Sequence, residues 1–307
     1  MRRNKIRWLG RSRIMRAITI VGLGLTTATA ALADCSDVRG ITPPESADLS
    51  SYSGYYVGGD GCFYDPHGID VMAVPPAVGA SGLRDERLIF VNGANPKADR
   101  EPYFLRLLAE ARDIPAVGVL NTQTDENLSS PPTIKGVSAV KTLESLMLQS
   151  LETGSDLLVR GGSAGASVVS VALARTKMRW SARHPRPRRL DDALRHLKVE
   201  TFGGVGFFYP DGPRYVHYAN LKDPNAQRLG VLNPLVKPGQ GAVIALFQDS
   251  LAPLEADYEV LTPKNEIILS HHGFGVYNAN QRNFDRLYRF SPKLLPYRVV
   301  PLIGKSF

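Results

Sequence analysis

The sequence predicts an α/β fold: a mostly parallel central sheet with helices on both faces. Three observations carry that expectation. Short, nearly continuous apolar runs recur from residue 87 onward, the mark of strands buried on both sides. Amphipathic stretches of helical period alternate with them. At the centre of the chain, "LLVRGGSAGASVV" passes from an apolar run through a glycine-rich turn into a second apolar run, as a strand–turn–helix unit does.

Taken in order, residues 34–80 are rich in Gly, Pro, Ser and Tyr and read as an N-terminal arm with one or two short strands. The main domain is expected over 81–307. "RLIFVNG" is a strand ending in an Asn-Gly turn. "EPYFLRLLAEAR" aligns Phe104, Leu107, Leu108 and Ala111 on one helical face, with Pro102 near the start. "AVGVLNTQ" is a second strand. "VSAVKTLESLMLQSLETG" aligns Val140, Leu143, Met147 and Leu151 and closes at Gly154. A strand over 156–159, the glycine turn and the helix "SVVSVALAR" follow. Residues 174–197 are basic and contain Pro185 and Pro187. They read as a solvated connection with a short helix at 190–197, or as a mobile cap that meets an anionic membrane surface or a charged substrate. "LKVETFGG", "RYVHYANL" and "GAVIALF" are the later strands.

The ends of the chain bear on compartment and partners. The first 33 residues open with seven bases and no acid, continue uncharged and apolar from Ala17, and close on Ala31-Leu32-Ala33. That is a secretory signal peptide, whether translation starts at Met1 or Met15. An exported protein, periplasmic or secreted, is expected. The chain has 37 bases and 29 acids in all, so removing those seven leaves 30 against 29. The basic excess belongs to the leader, and nucleic acid is not an expected partner. Cys35 and Cys62 are the two cysteines, both near the mature N-terminus. In an oxidising compartment they are expected to form a disulfide. There is no H-E-x-x-H, no Cys/His cluster and no G-x-x-x-x-G-K-[ST], so no metal and no cofactor is expected.

Gly161-Gly162-Ser163-Ala164-Gly165 fits G-x-S-x-G, and it sits between strand and helix, where a nucleophile elbow requires it. The alternative is a plain glycine turn. A sharp turn holds the serine in strained backbone, leaves no room for side chains two residues either side, and aims the Ala164 N–H at a developing oxyanion. A nucleophilic serine needs a base and a group to orient it. After an elbow, the acid comes first in the chain and the histidine last. "LSHHGFGVY" offers His271 and His272, with His272 preferred. His217 lies within a strand and is expected to pack there. The acid is Asp223 in "YANLKDPNAQRLG", beyond the strand's end, with Asp249 second. The loop "FVNGANPKADREP" is placed to supply the second oxyanion donor, the Ala94 N–H. Asn92 and Asn95 would brace that loop, and Asn92 is also a candidate substrate contact. Arg160 would reach an anionic substrate group or stand solvated at the strand tip.

The order "FVNGAN … VRGGSAGAS … VETFGG … YVHYANLKDP … HHGFGVY" resembles the α/β-hydrolase superfamily over roughly residues 87–277. Within it, "TFGG" followed by a strand ending in Asp-Pro is similar to lipases and esterases, including class 3 lipases. The resemblance implies an α/β-hydrolase fold and a triad of Ser163, Asp223 and His272. Gly162 departs from the histidine that many lipases carry before the serine. The function expected is hydrolysis of a small-molecule or lipid ester through an acyl-enzyme. The other reading is a binding protein of the same fold without turnover.

Overall fold

A computed structural model describes residues 35–43, 48–80, 82, 86–123, 138–184, 187–248, 272–274, 276–278, 280–281 and 298–303. By its contacts the chain divides between Ala31 and Leu32, and every described residue belongs to the second unit, Leu32–Phe307.

Among the described residues nine strands form one sheet. They are β1 (Tyr56–Val57), β2 (Phe63–Tyr64), β3 (Leu88–Val91), β4 (Ala116–Val119), β5 (Leu157–Gly162), β6 (Leu197–Phe202), β7 (Arg214–Asn220), β8 (Val243–Gln248) and β9 (Arg298–Ile303). Their order across the sheet is β2-β1-β4-β3-β5-β6-β7-β8-β9. From β4 to β9 every pairing is parallel, while β1 is antiparallel to both β2 and β4. Helices α1 (Glu101–Arg112), α2 (Ser138–Thr153), α3 (Ala164–Arg183), α4 (Pro187–Leu194) and α5 (Pro224–Arg228) connect them.

The pleat sorts the apolar strand residues into two cores. Ile89, Val91, Val117, Val119, Val159 and Val199 join α2 and α3 on one face. Leu88, Phe90, Ala116, Leu158 and Phe202 join α1 and the segment carrying Val276 and Tyr277 on the other. This mostly parallel sheet, covered by helices on both faces, fits the α/β-hydrolase fold expected from the sequence. The strand order reverses between β3 and β5, and the crevice above that reversal is where such sheets place their ligands.

Several elements differ from the sequence reading. The arm is part of the sheet: Gly54 N donates to Leu120 O, Leu120 N to Tyr55 O, and Ala77 and Ala116 exchange both backbone bonds. Strands of two residues are too short to show a period, so their pairing was not legible. The disulfide between Cys35 and Cys62, by contrast, is as expected. The buried apolar face of α1 is Leu105, Leu108 and Ala109, with Phe104 half-buried, one residue round from the expected stripe.

The largest difference is α3. It runs through Arg183, into the segment read as a basic connection. Arg175, Arg179 and Arg183 are spaced by four, so they form one stripe along the helix. That stripe meets α2, where Arg175 and Arg179 pair with Glu144 at 2.7 Å each and Arg183 pairs with Glu152 at 2.9 Å. Arg175 is largely buried in this helix–helix contact, whereas Arg179 and Arg183 reach their α2 partners from exposed positions. The short helix, α4, begins at Pro187, a natural first helical residue, and Leu197 belongs to β6. Among the described residues no helix is long and apolar enough to cross a membrane.

Candidate active site

Ser163 stands between β5 and α3 with φ 47° and ψ −119°, a conformation that costs a non-glycine residue of order 1–3 kcal/mol. Three backbone bonds hold it there. Its N–H donates to Phe202 O at 2.9 Å, and its carbonyl accepts from Ala166 N at 3.1 Å and Val205 N at 3.0 Å. The flanking glycines have specific reasons. A Cβ on Gly161 would lie 2.7 Å from Ala166 Cα, and one on Gly165 would lie 2.2 Å from Val91 O. The elbow therefore needs glycine because α3 starts directly against the backbone of its own turn and of β3.

His272 Nε2 is 2.8 Å from Ser163 Oγ, and its Nδ1 is 2.7 Å from Asp223 Oδ2. A carboxylate only accepts, so Nδ1 carries the proton and Nε2 offers a lone pair to the serine hydroxyl. Asp223 is fully buried. Its Oδ1 accepts from Asn225 N at 2.9 Å and caps α5, so the Asp-Pro turn and the acid are one feature. Its Oδ2 accepts a second bond from Tyr277 Oη at 2.5 Å. Tyr277 Oη in turn accepts from Asn220 N at 3.2 Å. Burial, then the Asp223 charge, push the Tyr277 phenol well above its usual range, so it stays a donor. Gly203 of "TFGG" has φ 52°, and a Cβ there would lie 2.8 Å from Asp223 Oδ2 and 2.9 Å from Tyr277 Oη. Sequence reasoning missed Tyr277, because nothing in one chain marks a tyrosine as the partner of a distant carboxylate. The alternatives His271 and Asp249 lie outside the described residues.

The 92–95 loop sits against the serine. A Cβ on Gly93 would be 3.2 Å from Ser163 Cβ. Ala164 is the first residue of α3, so its N–H is among those the helix leaves unsatisfied. The Ala94 N–H has no partner among the described residues. Asn92 differs from the sequence reading: it is buried, and its amide is spent on Gly93 O and on the backbone of Asn121, so it braces the loop and does not face a substrate.

Arg160 needs a full correction. It is neither at a solvated tip nor near substrate, because β5 continues two residues past it and its side chain is 0% exposed. In register beside it lies Glu200, which accepts from Arg160 Nε at 2.9 Å and from Nη2, from Arg112 Nη2 at 2.5 Å and from Gln281 Nε2 at 3.3 Å. The guanidinium also lies 4.8 Å over the Phe202 ring. Burial lowers the Arg160 pKa, and although burial alone would raise Glu200, the two arginines hold it below the usual carboxylate range. A charge within an apolar strand was read as the strand's end, and Glu200, buried inside "LKVETF", was the unnoticed signal of its partner.

Three other histidines have partners elsewhere. His217 is fully buried in β7, with Nδ1 2.8 Å from Thr201 Oγ1 and Nε2 2.9 Å from Pro238 O. His184 stacks on Trp180, and His196 pairs with Asp156. Among the described residues no group of three or more His, Cys, Asp or Glu side chains is gathered to hold a metal.

No protein-family model matches the chain, and no curated protein matches it. Among solved structures, crystal structures of two mutants of an esterase, rPPE, are similar over 72% of this chain and 66% of theirs, at 12% sequence identity and a TM-score of 0.29. The chain thus spans just under two thirds of that esterase's length.

Proposed function

We propose that this protein is a serine hydrolase that cleaves carboxylic esters, with Ser163, His272 and Asp223 as its triad. One observation carries the reading: an unbroken hydrogen-bonded chain of hydroxyl, imidazole and buried carboxylate, at 2.8 Å and 2.7 Å, that begins on a strained serine. Ser163 Oγ attacks the ester carbonyl carbon while its proton passes to His272 Nε2. Asp223 holds the ring and stabilises the imidazolium through Nδ1–H. The Ala164 and Ala94 N–H groups bind the oxyanion of the tetrahedral intermediate. Its collapse breaks the bond to the alcohol oxygen, which takes the proton from His272. Water, deprotonated by His272, then releases the acid from acyl-Ser163.

The resemblance to class 3 lipases belongs to this proposal, and the close approach of Gly203 to Asp223 gives its "TFGG" a physical reason. Export after removal of residues 1–33 is proposed with it, supported by the disulfide. A fluorophosphonate probe tests the enzyme. The folded mature protein is expected to be labelled at Ser163 and to hydrolyse a short-chain p-nitrophenyl ester, and Ser163→Ala to do neither. A folded wild-type protein that shows neither property is a binding protein, and the proposal fails.

A further inference from the structure

We propose that the Asn92–Asn121 amide pair orients the Ala94 N–H toward the oxyanion, with both side chains acting as positioning residues. This rests on the ester-hydrolase reading above. Asn92 follows β3 and Asn121 lies just beyond β4, and both are buried. Asn92 Nδ2 donates to Asn121 O at 2.7 Å, and Asn121 N donates to Asn92 Oδ1 at 2.7 Å. That pair of bonds ties the ends of two parallel strands together. Asn121 Nδ2 donates to Asn92 O at 3.2 Å and to Gly93 O at 3.4 Å, and Asn92 Nδ2 reaches the same Gly93 O at 2.8 Å.

The carbonyl of Gly93 is thus drawn by two amides to the β4 side of the loop. The chain's described peptides are all trans, and in a trans peptide the carbonyl and the following N–H point in opposite directions. The Ala94 N–H is therefore turned away from β4. In the sheet, β4 lies on one side of β3 and β5 on the other. Turning away from β4 is turning toward β5, whose end carries Ser163, and a Cβ on Gly93 would lie 3.2 Å from that serine's Cβ. The rest of the loop is anchored through the same residue. Asn121 Oδ1 accepts from Gln123 N at 3.3 Å, and Gln123 O accepts from Asn95 N at 2.9 Å. Every polar atom of Asn121 is used, as is every polar atom of the Asn92 side chain.

Asn121 touches no substrate, so its effect must appear in the transition state and act through Ala94. Asn121→Ala in the full chain is expected to lower kcat roughly 10- to 100-fold, less than the ~10²–10³-fold of a lost oxyanion donor. KM should stay within about threefold of wild type, as for an interaction made only in the transition state. Affinity for a boronic acid, which mimics the tetrahedral oxyanion, should fall in parallel, and affinity for a planar amide analogue should not. Ala94→Pro removes the N–H itself and should cost at least as much. The double variant should be no worse than Ala94→Pro, because Asn121 then has nothing left to orient. Ala94→Pro lies on the half-buried loop and keeps the test alive if Asn121→Ala does not fold. A wild-type kcat in Asn121→Ala, a KM effect with kcat unchanged, or an undiminished kcat in Ala94→Pro overturns the inference. An additive double variant does the same. Wild-type protein that is never labelled at Ser163 overturns the hydrolase reading and this inference together, whereas labelled wild type with a fully active Asn121→Ala overturns this inference alone.

Discussion

Two histidines in this protein make the same pair of hydrogen bonds in different chemical settings. His272 lies between the Ser163 hydroxyl and the Asp223 carboxylate. His217 lies between the Thr201 hydroxyl and the Pro238 carbonyl. In each, an acceptor-only oxygen fixes the proton on one ring nitrogen and leaves the other to face a hydroxyl. The far acceptor differs: a carboxylate compensates an imidazolium, and a neutral carbonyl does so only weakly. The place differs too. Thr201 lies inside β6, with His217 in register beside it in β7. Ser163 stands on a strained turn above the strand-order reversal. A hydroxyl–imidazole contact is therefore not a reactive pair by itself. It needs the anion behind the ring and room for an acyl group in front.

The strongest test breaks the anion. Asp223→Asn keeps the shape but offers a neutral amide to Nδ1, and a ~10⁴-fold loss of kcat is expected, about 5 kcal/mol of transition-state stabilisation. Thr201→Val removes the corresponding hydroxyl at His217, and kcat should change less than about threefold. Steady-state rates on one short-chain ester decide both, and an Asp223→Asn enzyme retaining a tenth of wild-type kcat would end the triad assignment.

A second test uses pH at His217. Burial pushes this imidazole down to about 4, against ~6.5 in the unfolded chain. Between those values the unfolded chain binds the extra proton and the folded protein does not. Stability is thus complete above about pH 6.5 and is lost as pH falls toward 4, by roughly 3 kcal/mol. Denaturant midpoints across that window should show the slope in wild type and a flatter curve in His217→Gln. Equal slopes would mean that His217 does not drive acid unfolding.

The smallest expected effect concerns Tyr277. Its hydroxyl shares Asp223 Oδ2 with His272. Among the described residues, Asp223 and His272 are the titratable groups that this ring meets. Tyr277→Phe removes one of the bonds that fix this carboxylate and leaves the acceptor to the imidazole. kcat on the same ester is expected to stay within about tenfold of wild type, well short of the loss in Asp223→Asn. A loss as large as that of Asp223→Asn would mean that Tyr277 does more than share the acceptor.

Much of the site was legible because its signals are local. Gly161 and Gly165 report a turn that no side chain could enter, and the Asp-Pro pair after β7 reports both a helix cap and a carboxylate at a strand's end. The residues that brace the site were not legible. Asn121, Tyr277, Glu200 and Gln281 act through partners many residues away, and each looks ordinary among its neighbours in the chain. The basic stripe of α3 misled for the same reason, since its carboxylates lie on α2.

The sequence by itself determined the alternation of strand and helix, the elbow at Ser163, and the order of acid and histidine after it, because periodicity and turn chemistry are written within a few residues. Only the tertiary structure decided that Arg160 is buried against Glu200 and not exposed to substrate. It also decided that β1 and β2 extend the sheet and that the loop after β3 is braced from β4. Those outcomes depend on which strands become neighbours, and the burial of a charge or the aim of a peptide follows from that neighbour alone.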